Sequence, residues 1–471
     1  MEALRVPLVV GVLVSGAGMT PARAQEGATL TSTLASQDPA SGADEKRIAL
    51  AVTELLTLEV SVWGVSKWLR GEHWADVTPE LWWRNISEGW EYDGDGFQTN
   101  YFGHPYHGAL FFNAARSNGF GFWESAAYSL AGSALWEYFG EIYRPAFNDW
   151  ILSGISGANL GEALYRLSAL ATDNTATGQE RVWREIAGAL INPVRGFTRL
   201  VTGEIAEVAP NPDAHSPAWF QPVLQIGASS LDADGRADVE VPVQQLLLEL
   251  DLTYGDPFSA RFEPPFSSFR LGASFALFSR ADVPAKTVAR IESEGALVSW
   301  TLRNDGRSKH RLAALLVYSY LNNPAFELGQ TSIAAQWDAE YRLSGEVSVV
   351  PSLSTAFVLM GATPNDYFEA PDGRTYDLGP GFAVAASATL QYRQEIVLRS
   401  IYISGWIWPM SLPDTSNHHL HFAGVEGRYP LSRVIALGAA FTMFWRESSY
   451  DEQPDVTAKN PMVKVFLAIS P

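Results

Sequence analysis

From Pro217 to the end of the chain, apolar residues fall at every second position, and this rhythm restricts the fold more than any other feature. Leu246, Leu248, Leu250, Leu252 and Tyr254 alternate with Gln245, Glu249, Asp251 and Thr253. Ile333, Ala335, Trp337, Ala339 and Tyr341 alternate with Ser332, Gln336, Asp338, Glu340 and Arg342. A period of two places one set on each side of a pleated strand, so each strand has an apolar and a polar face. Twelve such segments occur, near residues 218–230, 237–253, 266–280, 286–302, 309–321, 329–343, 346–361, 380–393, 395–408, 416–429, 432–447 and 461–470. Long strands, an even count and aromatic ends predict a transmembrane barrel of the outer-membrane type, antiparallel and roughly twelve-stranded. A soluble sandwich or propeller would use shorter strands. Residues 322–326 and 343–346 read as short turns, 363–380 and 448–460 as longer polar loops, the inequality expected between the periplasmic and outer ends.

The other end of the chain reads as an export signal. Arg5 precedes the apolar run of residues 6–19, and Ala22-Arg23-Ala24 matches a small-residue cleavage site. Segment 1–24 is therefore expected to be removed, and residues 25–44, rich in Ser, Thr, Gly and Ala, to be a flexible leader. The chain has no cysteine, which excludes disulfides in an exported protein. Its net charge of −19 argues against nucleic acid and against a generic binder of anionic membrane surfaces. Outer-membrane lipids are the expected surroundings, and a monomer the expected state. Residues 45–203 carry helical periodicity, residues 204–217 with three prolines make a linker, and 218–471 form the barrel. The fold class is thus mainly β with an α-helical N-terminal region. The apolar stretch 49–69 is broken by Glu54 and Glu59, which speaks against a helical membrane span.

Within the helical region, residues 104–162 set polar groups into an aromatic and aliphatic background. His104, His107, Asn113, Arg116, Ser117, Glu124, Ser125, Glu137, Glu141, Asn148, Asp149 and Glu162 all lie there. Buried carboxylates and an arginine are costly unless paired, so the stretch keeps them for folding or for chemistry. Nine of the sixteen tryptophans fall between Trp63 and Trp150, where packing against the barrel is the expected use. Asp93-Gly94-Asp95-Gly96 lacks the remaining spacing of a calcium loop and reads as a turn.

The motifs His104-Pro105-Tyr106-x-Gly108, residues 112–119 (FNAARSNG), residues 122–125 (FWES) and Trp136-Glu137-Tyr138 are similar to those of a bacterial envelope family catalogued only as a domain of unknown function. So are Glu141, Pro145, Asn148-Asp149 and Gly161-Glu162. The resemblance covers most of the mature chain. It implies an exported protein with a helical segment and a C-terminal barrel, and it implies no activity. Ala146 stands where that family usually has Ser, so a hydroxyl there is not an essential nucleophile.

Three readings of the polar block follow. In the preferred one it is structural: Arg116 pairs with Glu124, Glu137 or Glu141, while Asn113, Asn148, Asp149 and Glu162 complete a network that fixes how the helices dock on or plug the barrel from the periplasm. In the second it is a membrane-lipid hydrolase, with His104 or His107 as base, Ser117 or Ser125 as nucleophile and Glu137 or Glu141 orienting the imidazole. No G-x-S-x-G elbow supports that chemistry. In the third, His104, His107, Glu137, Glu141 and Asp149 hold a metal, although no H-E-x-x-H pattern is present. The sequence commits to the first, with no cofactor and no metal; a channel for small polar solutes is a further alternative.

Overall fold

A computed structural model describes residues 46–212, 215, 217–232, 242–258, 264–280, 288–325, 327–369, 373–411 and 416–470. The export signal and the leader lie outside these residues. Twelve strands pair antiparallel in sequence order: β1 (Phe220–Leu231), β2 (Val243–Tyr254), β3 (Phe269–Arg280), β4 (Val288–Asn304), β5 (Ser308–Asn322), β6 (Glu327–Arg342), β7 (Val347–Pro364), β8 (Tyr376–Tyr392), β9 (Glu395–Ile407), β10 (Ser416–Pro430), β11 (Ile435–Tyr450) and β12 (Val456–Ile469). β1 also pairs with β12, from Leu224↔Ile469 to Leu231↔Met462, and the sheet closes into a barrel with no free edge.

The two ends differ. Phe220, Ile469 and the tight turns at 305–307, 343–346, 393–394 and 431–434 share one end. Arg393 and Gln394 take positive φ (53° and 70°), the geometry of a two-residue hairpin turn. Connections such as residues 365–375 and 408–415 share the other end, although the longest connection, residues 255–268, lies with the tight turns. The β5–β6 connection, residues 323–326, is short as the sequence indicated but sits at this second end, because successive antiparallel hairpins must reverse at opposite ends.

Alternation sorts the side chains as the period requires. Glu249, Asp251, Arg290, Glu292 and Lys464 point inward, toward a cavity of about 680 Å³. Phe357, Phe382, Val463 and Leu467 point outward and are exposed.

The helices precede the barrel in the chain: α1 (Ile48–Gly64), α2 (Pro79–Glu88), α3 (His104–Arg116), α4 (Phe122–Phe139), α5 (Phe147–Ile151), α6 (Gly157–Ala171), α7 (Gly178–Ile191) and α8 (Pro193–Thr202). Local chemistry sets several of their starts. Thr78 accepts from the Leu81 N–H, with Pro79 following, and Asn192 accepts from the Arg195 N–H, with Pro193 following. Glu124 reaches back to the Gly121 N–H that opens α4.

The helical block packs on the outside of the barrel wall. On β5 the outward residue Leu312 is 39% exposed, whereas Leu316, Tyr318 and Tyr320 on the same face are 5%, 0% and 1% exposed, covered by helices. Phe112, Phe122, Ala158 and Leu167 pack on Leu252, Tyr254, Phe269 and Leu316. Phe97, Tyr101 and Leu152 pack on Tyr318, Tyr320, Met360, Tyr376 and Leu378. Polar contacts fix the seat: Asn159 donates to the carbonyls of Ser293 and Leu316, and Arg374 to that of Asp93. Gly329 matters here, since a Cβ at that position would lie 2.2 Å from the Tyr101 ring. Among the described residues no helical side chain lines the cavity, so the helices do not form the plug allowed for in the sequence. An outward wall that is apolar accepts a helical bundle as readily as it accepts lipid.

Three helical segments meet at backbone distance inside the block. A Cβ on Gly108 would come within 1.7 Å of the Ser153 carbonyl oxygen, and one on Gly157 within 2.6 Å of the Gly108 backbone. The Ser129 hydroxyl contacts both the Gly108 and the Ser153 carbonyls at 2.9 Å. Small residues on α4 thus serve close approach, as in membrane helix packing.

The tryptophans differ from expectation. Trp68, Trp83 and Trp123 face out of the block, Trp68 being 70% exposed, although Trp136 is buried. The helix over Ile48–Arg70 is long and apolar enough to cross a membrane and only 22% buried. One of its two acidic residues is accommodated within the bundle. Glu54 turns into the bundle, where Asn118 and Thr198 donate to its carboxylate.

Candidate metal centre

The polar stretch separates into two buried clusters. In the first, Arg116 donates through Nε and Nη2 to the two oxygens of Glu162 (2.8 and 3.1 Å), and Arg166 donates to the same carboxylate at 2.8 Å. Arg116 also caps the Phe120 carbonyl. The partner is therefore Glu162, one helix away on α6, and not Glu124, Glu137 or Glu141 as expected. Glu124 binds Lys46 at the surface instead. Asn113 donates to the Ala109 and Gly161 carbonyls and accepts from Asn192, tying α3, α6 and α8 together. This cluster is fully paired and reads as scaffolding.

The second cluster is of another kind. α3 presents His104 from its first turn, α4 presents Glu137 from its last, and α5 presents Asp149. Ligand atoms of these three side chains lie within 4.8 Å of one another. His104 Nε2 is 3.5 Å from Asp149 Oδ1, and its Nδ1 is 3.2 Å from the Ser153 hydroxyl. Glu137 Oε2 accepts from the Ala146 N–H at 2.7 Å, while its Oε1 is buried without a partner. The position at 146 thus contributes a backbone donor, which any residue but proline allows.

A ring of amides surrounds the three. Asn148 donates to Asp149 (2.7 Å) and to Asp93 (2.8 Å), and Asn100 donates to Asp93 (2.9 Å) and to the Tyr376 hydroxyl of the wall (2.8 Å). Asp93, Asp95 and Glu141 are near enough to act electrostatically on Asp149. Among the described residues no lysine or arginine pairs with Asp93, Glu137 or Asp149. Several carboxylates in one dry pocket cannot all ionise without protons or a cation to compensate.

The hydrolytic arrangement is not assembled. Ser117 follows the far end of α3, thirteen residues or about 20 Å from His104 at 1.5 Å per residue. His107 packs between Phe111 and Trp136, with ring centroids 4.4 and 5.0 Å away. Ser125 lies eleven residues, about 16 Å, back along α4 from that tryptophan. The hydroxyl beside His104 is that of Ser153, which carried no signal as a lone serine in an apolar run. Asp93 and Asn100 were also missed; the Asp-Gly-Asp-Gly turn was visible, but its contact with Asn148 depends on tertiary structure.

In the barrel, His418 faces the lumen and contacts Asp377 at 2.7 Å. His419 and His421 face outward, stacked on Trp406 and Trp445 with interplanar angles of 14° and 12°.

Residues 89–194, which contain both clusters, match the family model described as Domain of unknown function (DUF3943). That span covers part of the helical block, from after α2 to the start of α8, narrower than the extent the motifs implied. No curated protein matches the chain. Among solved structures, the chain is similar to a NanC porin (8% identity, covering 51% of this chain and 98% of that one, TM-score 0.26). It is also similar to a KdgM porin (7%, 52% and 98%, 0.22) and to the outer membrane channel DcaP of Acinetobacter baumannii (9%, 54% and 96%, 0.24). The barrel assignment stands on the strand pairing itself.

Proposed function

We propose that the protein is an outer-membrane barrel whose lumen passes small polar solutes, with its helical block lying in the plane of the bilayer against the wall. The observation that carries this reading is the lumen, a cavity of about 680 Å³ bordered by charged side chains and free of helices. Lys464 pairs with Glu249 at 2.6 Å, and Arg290 with Asp251 and Glu292 at 3.1 and 2.9 Å. Such paired charges keep a pore wet while balancing its field.

The test is conductance of the refolded, full-length mature protein in planar bilayers. Stepwise openings are expected. Arg399, which borders the cavity near Glu294 and Glu426, sets part of the balance, so Arg399→Ser is expected to move the reversal potential toward cation selectivity. A folded, inserted barrel that never opens rules the channel out.

Placement of the block in the bilayer is supported by its surface. Leu56, Val60, Trp68, Leu69 and Trp123 are exposed, an apolar stretch of the block's surface, while Glu54, Arg116 and Glu162 are buried. The tight-turn end, which carries both barrel termini, is assigned to the periplasm. The absence of native cysteine makes a direct measurement simple. A single cysteine replacing Leu56 or Trp123 is expected to resist a water-soluble maleimide in liposomes and to react in detergent-free denaturant. One replacing Glu452 in the long-loop end is expected to react at once. Rapid labelling at 56 and 123 in intact liposomes places the block in water and defeats this part of the reading.

A further inference from the structure

We propose that His104, Glu137 and Asp149 bind one divalent transition-metal ion inside the helical block. The three ligand atoms lie within 4.8 Å of one another. Ligands at about 2.1 Å from a tetrahedral ion stand roughly 3.4 Å apart, so small side-chain rotations close the set. One imidazole with two carboxylates suits Zn²⁺, Mn²⁺ or Fe²⁺ better than Mg²⁺ or Ca²⁺, which favour all-oxygen sites.

An independent observation also points to a ligand. Glu137 is fully buried, and its Oε1 has no partner although Oε2 is anchored to the Ala146 N–H. An orphaned carboxylate oxygen in a buried site is costly, and a cation beside it removes that cost. Nor does the protein supply a cation of its own, since no lysine or arginine among the described residues pairs with Glu137 or Asp149. The surrounding groups fit an outer shell. Asn148 donates to Asp149, leaving that carboxylate oriented, and the Ser153 hydroxyl holds His104 Nδ1 so that Nε2 faces the carboxylates.

The site lies where three helices already held together by the Ser129 and Glu137 contacts meet the wall. α3, α4 and α5 contribute ligands, and the Asp93 and Asp95 carbonyls beside them accept from Arg374 and Tyr376 of the barrel. A bound ion would therefore brace the block where it meets the wall near the long-loop end.

Co²⁺ alone is the probe, added to chelator-treated, full-length mature protein in detergent micelles. One equivalent is expected to bind saturably and to give visible absorption bands that excess Zn²⁺ removes. His104→Gln and Asp149→Asn are expected to abolish the bands, and Asn148→Ala to weaken binding by on the order of 10- to 100-fold. Heat-modifiable migration and tryptophan fluorescence establish that each variant is folded. Co²⁺ bands that persist in folded His104→Gln, or no saturable uptake by folded wild-type protein, overturn the proposal. Because conductance is read separately, failure here leaves the channel reading standing, and failure of the channel leaves this one.

Discussion

Replacing Gly108 with valine is expected to unfold the helical block while the barrel stays closed. The first added carbon would sit 1.7 Å from the Ser153 carbonyl oxygen, a backbone atom that no rotamer change can clear. α3 and the segment leading into α6 must then separate, and the Ser129 hydroxyl loses its place between the two carbonyls. Overpacking costs about 1–3 kcal/mol, and each buried polar group left unpaired costs about 1–3 kcal/mol more. A total on the order of 5 kcal/mol rivals the stability of a small domain. Ten of the sixteen tryptophans lie in residues 48–202, so urea titration followed by fluorescence reports mainly on the block. Heat-modifiable migration reports on the barrel. A Gly108→Val protein with unchanged fluorescence midpoint would show that the crossing is looser than its geometry requires.

The second large effect is expected at Arg116. Arg116→Met removes two hydrogen bonds to Glu162 and one to the Phe120 carbonyl, and leaves Arg166 as the remaining cation on that buried carboxylate. Breaking one side of a buried pair costs about 3–5 kcal/mol. Replacing both members with apolar residues of similar volume, Arg116→Met with Glu162→Leu, is expected to recover much of that loss, although Arg166 then needs a new partner. The same fluorescence titration reads both variants. If the double variant is no more stable than Arg116→Met alone, the pair is not what the arginine stabilises.

The barrel was legible from sequence because its code is local. Once Leu246 to Tyr254 alternate with Gln245 to Thr253, both faces of β2 are assigned without knowing its neighbours. The apolar face alone does not say what covers it, so the sequence left open whether the helices dock on the wall or fill the lumen. Lipid, a second sheet and a helical bundle satisfy the same alternation, so Tyr318 and Tyr320 looked no different from Leu312. The polar block stood out by its composition, but its pairing did not. Arg116 has Glu162 as its partner 46 residues away, on a helix whose approach is set by glycines at 108, 157 and 161. Glu54 shows a further limit of sequence: a charge that interrupts an apolar run can turn into the bundle, where Asn118 and Thr198 bind it.

The covered arc of the wall runs from β2 to β8, through Leu252, Phe269, Leu316, Tyr318 and Tyr376. The closing seam, where Leu224 to Leu231 meet Met462 to Ile469, lies outside that arc. Assembly can therefore proceed in two separable stages. The last strand can zip to the first while the N-terminal helices are still undocked, and the block can then seat on a finished cylinder. Faults in the block would in that case yield a competent barrel lacking its flank, rather than a misfolded chain.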